Sequence, residues 1–318
     1  MTQAQQTSRP PVTGQTRPWW RGRPRRAERG VEALLVLAAV VSIATTIGIL
    51  VALAQPTIDF FKRIGVAEFA LGTEWSPLFT NPGYGVLPLL VATIVVTVIA
   101  IVIAVPLGLG SATYLSEYAT SRTRKVLKPV LEILAGVPTV VYGAFAIFAI
   151  GPILRSWWPG SETPAYQNML IAGIAMGIMI VPTVASLAED AMTAVPRSLR
   201  EGAYALASSK MQVSTRVVMP AAMSGIVAAI VLGLSRAIGE TMIVTIAAGS
   251  TSDHVEVNPL HGAATMTAYI AGAGQGDLPV GSFEYRTIFA VGAVLFVFTF
   301  LLNAFSIRMV RKFREVYE

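Results

Sequence analysis

The chain has 318 residues, of which 54% are hydrophobic and only 13% charged, with a net charge of +6 and no cysteine. A soluble domain carries about a quarter charged residues, so this composition excludes an ordinary water-facing surface. Without cysteine there are no disulfide staples, thiolate metal ligands or cysteine nucleophiles.

Residues 1–30 are rich in Pro, Gln, Thr and Arg, which predicts a disordered basic tail. Trp19 and Trp20 in it suit a membrane surface, where amphipathic indole rings are favoured. Beyond the tail the chain is a series of long apolar runs. A helix rises about 1.5 Å per residue, so roughly 20 apolar residues cross a ~30 Å hydrocarbon core. Six stretches qualify: 31–54, 86–114, 126–150, 168–187, 221–249 and 286–310. Residues 31–85 thus form a first span and an outer loop, 86–310 the remaining five spans, and 311–318 a short tail. Ala52-Leu53-Ala54 has the small-x-small form of a signal cleavage site. The apolar run before it exceeds a signal core of about 7–15 residues, so an uncleaved anchor is expected.

Basic residues set the orientation. They cluster in the N-terminal tail (Arg9 to Arg29), after span two (Arg122, Arg124, Lys125, Lys128), after span four (Arg197, Arg200, Lys210, Arg216) and in the C-terminal tail (Arg308, Arg311, Lys312, Arg314). The other loops hold only Lys62, Arg63, Arg155 and Arg286. The bias alternates at every crossing. Both termini are therefore expected in the cytoplasm, with 55–85 and 250–285 outside. The basic excess is a topology signal and requires no nucleic-acid partner.

Pro106, Pro138 and Pro182 fall within spans, where neighbouring helices must satisfy the backbone groups they free. Gly173 and Gly177 make a small-xxx-small face for close helix packing. Trp157 and Trp158 suit an interfacial anchor before span four. His254 and His261 lie near Asp253 and Glu256 but match no standard metal spacing, so they read as ordinary loop residues.

The segment 194–220 is too amphipathic for a plain linker. Pro196 fits a first helical turn, Ala203, Ala205, Leu206 and Ala207 favour helix, and Ser208 and Ser209 weaken it. Two short surface helices are predicted, with Pro220 opening span five. This loop resembles the E-A-A-x3-G-x9-I-x-L-P loop of bacterial ABC importer permeases. Glu201, Gly202, Ala203, Ala207, Val217, Met219 and Pro220 stand at its spacings. Gly202 replaces an alanine, and Ala207 replaces the glycine of the turn, where alanine costs more in a left-handed conformation. The resemblance implies that Glu201, Gly202, Ala203, Ala207 and Pro220 couple the chain to an ATPase subunit.

Span five carries Arg236 and Glu240 one helical turn apart. A charge at that depth costs ~2.5–3.5 kcal/mol, which marks it as functional by default. Glu240 is expected to hold Arg236 at rest, with a transported anion competing for the guanidinium. The string SRAIGETMIV, with FALGTEWSPLF, YGVLPLLVATI, VPLGLGSATYLSEYA and EILAGVPTVVYG in the first half, resembles the phosphate-specific ABC permeases of the PstC type over about 69–310.

That resemblance implies an all-α membrane protein with the six-helix, MetI-like bundle of a type I importer. It implies a phosphate pathway at Arg236 and Glu240 and a place in a bacterial cytoplasmic membrane. Its implied partners are a PstA-type permease, two ATPase subunits and an extracytoplasmic phosphate-binding protein. No lysine follows a glycine, so no G-x-x-x-x-G-K loop exists, and ATP would be bound by the ATPase subunits. No cofactor, metal or catalytic residue is expected in this chain, and no H-E-x-x-H or G-x-S-x-G string occurs. The span-five charges and first-half motifs argue against a sulfate or molybdate permease. The coupling loop argues against a secondary transporter.

Overall fold

The computed structural model describes residues 26–158, 164–250 and 253–312, and the surroundings of the side chains at 26, 27, 277 and 309–312 are not among what it describes. Trp19, Trp20, most of the basic tail and residues 313–318 lie outside the described residues. The chain divides into two compact units, 1–52 and 53–318.

The first unit holds the opening of helix α1 (Arg26–Phe61), which is longer than the predicted span and continues through Pro56. Its side chains from 28 to 52 are exposed, including Leu34, Leu35, Ile43 and Ile47. A contiguous apolar surface of this kind is untenable in water and matches acyl chains in a bilayer.

The second unit is a helical bundle with no strand among the described residues, only an isolated bridge between Trp75 and Tyr84. Helix α2 (Val66–Leu71) is followed by α3 (Leu87–Thr113), which ends in a π-helical turn at Tyr114–Tyr118. Next come α4 (Ser121–Ala135), α5 (Thr139–Phe145), a second π turn (Ala146–Ile150), α6 (Gly151–Trp157) and α7 (Met169–Thr193). Short helices α8 (Arg197–Ala205), α9 (Lys210–Val213) and α10 (Met219–Ala221) precede α11 (Met223–Ile238) and α12 (Met242–Ala247). Helix α13 (Met266–Gly272) and α14 (Arg286–Lys312) close the chain. Among the described residues five helical stretches are long and apolar enough to cross a membrane. They become six when the pair Lys210–Ala221 and Met223–Ile238, bent by 72°, counts as one.

The predicted span at 126–150 is displaced. Residues 121–135 form the separate amphipathic helix α4, and the crossing runs over Thr139–Trp157. Gly136 closes α4, and Pro138 stands at the N-cap of α5 rather than inside a helix. Proline pushes the residue before it away from helical geometry, which breaks the run at Val137. Arg124 and Lys128 then reach across to Glu189 on α7, whose side chain is 1% exposed, while Val126, Val130 and Ile133 remain exposed. Thr193 and Asp190 complete this network.

The centre of the bundle is the face between α3 and α7. An added Cβ on Gly173 would lie 2.6 Å from Ile99 Cγ2, and one on Gly177 would lie 3.0 Å from the Ala100 carbonyl oxygen. Gly108 meets Val184 just as closely, at 2.8 Å. Gly233 of α11 lies against the same Val184 and against Ile180. Without a hydrophobic driving force between helices in lipid, such close approach supplies the dispersion energy that holds them. Pro106 and Pro182 are inside α3 and α7, as the sequence indicates. At the end opposite the basic loops, Phe60, Phe69, Trp75 and Tyr84 form an aromatic cluster with Met266 and Val291.

Gly173→Ala is expected to lower the thermal midpoint in detergent, because overpacking costs about 1–3 kcal/mol. Gly110→Ala, where a Cβ meets nothing within 4 Å, is the matched control and should leave the midpoint in place.

Candidate functional site

Helix α11 alone rises about 24 Å, short of a ~30 Å core, and it ends at Gly239. The chain resumes as α12 after Glu240 and Thr241. A break at this depth frees backbone groups that lipid does not satisfy. Here the sequence supplies the partners. Glu240 Oε1 accepts the amides of Met242 and Ile243 at 3.1 and 3.2 Å, capping the start of α12. The Glu240 carbonyl accepts the Thr267 hydroxyl at 2.7 Å, tying the break to α13. Glu240 is 8% exposed and sits in a niche also lined by Thr93, Thr97, Thr265 and Thr267.

Arg236 stands in the last turn of α11, where a cation suits the free carbonyls. It is exposed, unlike Glu240, and its guanidinium approaches Met179 Sδ at 3.7 Å. The expected ion pair between Arg236 and Glu240 is not formed. The reason is the break itself: the chain leaves the α11 helix at Gly239, so the i,i+4 spacing no longer stacks the two side chains. The acid turns inward to cap α12 while the base, itself exposed, lies against Met179 of α7.

The loop at 194–220 folds as two helical stretches, α8 and Lys210–Ala221, the second containing α9, a π turn and α10 with Pro220 inside it. Ala207 carries φ +59°, the sole positive-φ non-glycine among the described residues. The turn is therefore present although alanine occupies it. Ser208 N–H donates to the Ala203 carbonyl and Ala207 N–H to the Tyr204 carbonyl, so α8 closes with paired reverse bonds around a left-handed residue. Those bonds hold a backbone that alanine alone disfavours by about 1–2 kcal/mol. Ser209 and Gln212 then form a capping box that starts α9, and Pro220 lies in the first turn of α10.

Glu201, Gly202, Leu206, Ala207 and Met211 are exposed on this loop, and a Cβ on Gly202 meets nothing within 4 Å. Ala203 differs from its neighbours. It is half-buried and packs inward with Leu199 against the cluster around Met192, Val213 and Val218. The resemblance groups Ala203 with Glu201, Gly202, Ala207 and Pro220 as coupling residues; here it is half-buried while Glu201, Gly202 and Ala207 are exposed. Sequence reasoning passed over two buried carboxylates, Glu189 and Glu117, although an acid inside the apolar run S-L-A-E-D was a visible signal.

At the far end of the bundle, His261 Nδ1 lies 2.7 Å from Glu256 Oε2, and His254 Nε2 lies 3.8 Å from the same oxygen. Burial pushes the Glu256 carboxyl up, but hydrogen bonds from His261 and the Asn258 amide outweigh it and hold the pKa below the usual carboxylate value. No group of three metal-binding side chains occurs among the described residues.

Residues 104–315 match the family of binding-protein-dependent transport system inner membrane components. The chain is 35% identical over 271 residues to the probable ABC transporter permease protein YqgH of Bacillus subtilis, spanning 84% of this chain and 86% of that one. It is 32% identical over 281 residues to the phosphate transport system permease protein PstC 1 of Mycobacterium tuberculosis, covering 79% and 83% of the two chains. The PstC of Haemophilus influenzae is 30% identical over 284 residues, covering 84% and 88%. Among solved structures, the bacterial alginate ABC transporter matches with a TM-score of 0.64 at 15% identity, over 90% of this chain and 96% of that one. The inward-facing MetNI methionine transporter matches with a TM-score of 0.55 at 18% identity, over 73% and 95%. These last two speak to the bundle alone, which is the all-α ABC permease fold.

Glu240→Gln keeps a side-chain oxygen for the Met242 and Ile243 amides and should preserve membrane abundance and thermal midpoint. Glu240→Leu removes the cap and is expected to cost about 0.5–2 kcal/mol. Equal loss in both variants would show that charge, not capping, is what the position requires.

Proposed function

The chain belongs to the binding-protein-dependent transport system inner membrane component family, and on that premise we propose that it is the PstC-type permease of an ATP-driven importer of inorganic phosphate. The observation that carries the reading is Arg236. It is a guanidinium within a broken span, exposed on its helix, and among the described residues no carboxylate forms a salt bridge with it. Arginine keeps its charge at any working pH, and its planar fork fits two oxygens of an oxyanion. An anion crossing a low-dielectric barrier needs such a cation on its route.

The relatives named for phosphate transport favour phosphate over other oxyanions. In this reading an extracytoplasmic phosphate-binding protein delivers the ion to the outer face, and a PstA-type permease supplies the other half of the pathway. Two ATPase subunits bind ATP and engage the cytoplasmic loops of the pair. The exposed side of α8, at Glu201, Gly202, Leu206 and Ala207, is the docking surface offered by this chain. Both termini then lie in the cytoplasm and the His254 segment outside. Glu240 serves the pathway by holding the break open beside Arg236 rather than by pairing with it.

Phosphate uptake in a strain lacking its own PstC-type permease tests the proposal. The native chain, expressed with its partners, should restore uptake. Arg236→Met should abolish it at normal membrane abundance. Restoration of sulfate or molybdate uptake instead of phosphate would overturn the substrate. Gly202→Trp tests the docking surface, since the chain itself has room for the ring. It should stop uptake without altering abundance, and native uptake in that variant would place the ATPase elsewhere.

A further inference from the structure

Arg200 immediately precedes the exposed face of α8 but turns the other way. Its guanidinium donates to the Val195 carbonyl at 2.6 Å, to the Met192 carbonyl at 2.7 Å and to Glu117 Oε1 at 3.2 Å. The two carbonyls belong to the last turn and exit of α7, where four helix acceptors have no partner within the helix. Glu117 belongs to the π-helical turn that ends α3, and its side chain is 5% exposed. Ser116 Oγ donates to the same carboxylate oxygen at 2.9 Å. One side chain thus joins α8, the end of α7 and the π-helical turn that follows α3.

Packing alone does not make this joint. A cavity of about 400 Å³ opens beside α8, lined by Ser116, Glu117, Arg124, Thr193, Arg197 and Tyr204. Leu199 and Ala203 seat α8 on the apolar cluster on its other side. Arg200 spans the open side. We propose that Arg200 and Glu117 are the positioning pair that makes α8 move as one body with the ends of α3 and α7, and so transmits ATPase motion to the substrate pathway. This rests on the reading of α8 as the ATPase docking surface.

The route from there is continuous. Helix α7 carries the Met192 carbonyl near one end and Met179 thirteen residues earlier, about 20 Å away along the helix. Met179 is the side chain that Arg236 touches. The glycines of the α3–α7 face leave those helices no slack to slide independently. A displacement of α8 therefore shifts the wall against Arg236, provided that α8 is fastened to α7. The fastening is brittle by chemistry. Removing one partner of a buried pair leaves a charge uncompensated, whereas loss of an exposed pair changes little.

The test uses the native chain assembled with its partner permease, ATPase subunits and phosphate-binding protein in proteoliposomes. Phosphate uptake and ATP hydrolysis are measured together in native, Arg200→Met and Glu117→Gln assemblies. Glu117→Gln conserves shape and guards against a variant that fails to fold. The expected result is continued hydrolysis with phosphate moved per ATP reduced roughly tenfold or more, within the span typical of coupling between two sites. A merely structural role would lower abundance and both rates together and leave their ratio at the native value. That ratio in both variants overturns the proposal. A native assembly that shows no phosphate-stimulated hydrolysis overturns the transport reading and this proposal with it. Native coupling with native-like variants overturns this proposal alone.

Discussion

A helix that stops inside a bilayer must hand its unpaired backbone groups to the protein, because hydrocarbon offers no hydrogen bonds. Helix α11 stops at Gly239, and the arrangement of Arg236 and Glu240 follows from how the loose ends of that break are tied. Glu240 folds inward to receive two amides of α12, and Thr267 reaches from α13 to the Glu240 carbonyl. With the acid committed inward, Arg236 is left on the exposed side of α11. The break therefore separates two residues that a continuous helix would have paired.

The same logic governs the basic end. Glu189 and Glu117 are carboxylates with side chains 1% and 5% exposed, and each is met by cations of this chain. Two cations from α4 converge on Glu189, and Arg200 from α8 meets Glu117. Acids buried in α7 and beyond α3 thus bind short amphipathic helices to the ends of spans. Helix α4 carries exposed apolar side chains on its remaining face and is held by ion pairs, whereas α8 is held both by Arg200 and by the packing of Leu199 and Ala203.

Much of this was legible in the sequence because it rests on local chemistry. Gly173 and Gly177 announced a close helix face, and the structure sets them against α3. Pro196 marks the start of α8, and the break at Ser208 and Ser209 separates α8 from α9, but Pro220 falls inside Lys210–Ala221, before the 72° bend into α11, rather than at the opening of span five. What was illegible depended on tertiary context. Spacing of four residues reads equally well as a helical ion pair or as a residue before a break, and only the partners of Glu240 separate the two. Ala207 adopts a left-handed turn that its propensity opposes, because the reverse bonds from Ser208 and Ala207 outweigh the local cost. Ala203 faces inward because the cluster around Met192 lies on that side of α8, which no periodicity within nine residues of helix could assign. The displaced third crossing is a different kind of error. Pro138 ends the run at Val137, and the charges from Arg122 to Lys128 give the preceding residues a polar face, which makes them a separate amphipathic helix.

The arrangement has a consequence for how an anion could use Arg236. Were the guanidinium paired to Glu240, a passing anion would have to displace a buried carboxylate and leave it uncompensated, at a cost of about 3–5 kcal/mol. Here the carboxylate is already satisfied by backbone amides, and those bonds persist whether or not Arg236 holds an anion. The cation is correspondingly free to bind and release without disturbing the break. The guanidinium approaches the Met179 thioether, a weak acceptor that competes poorly with an oxyanion. If an anion binds at Arg236 as proposed, the packing of α7, which carries Met179, would set how tightly it is held, rather than a second charge.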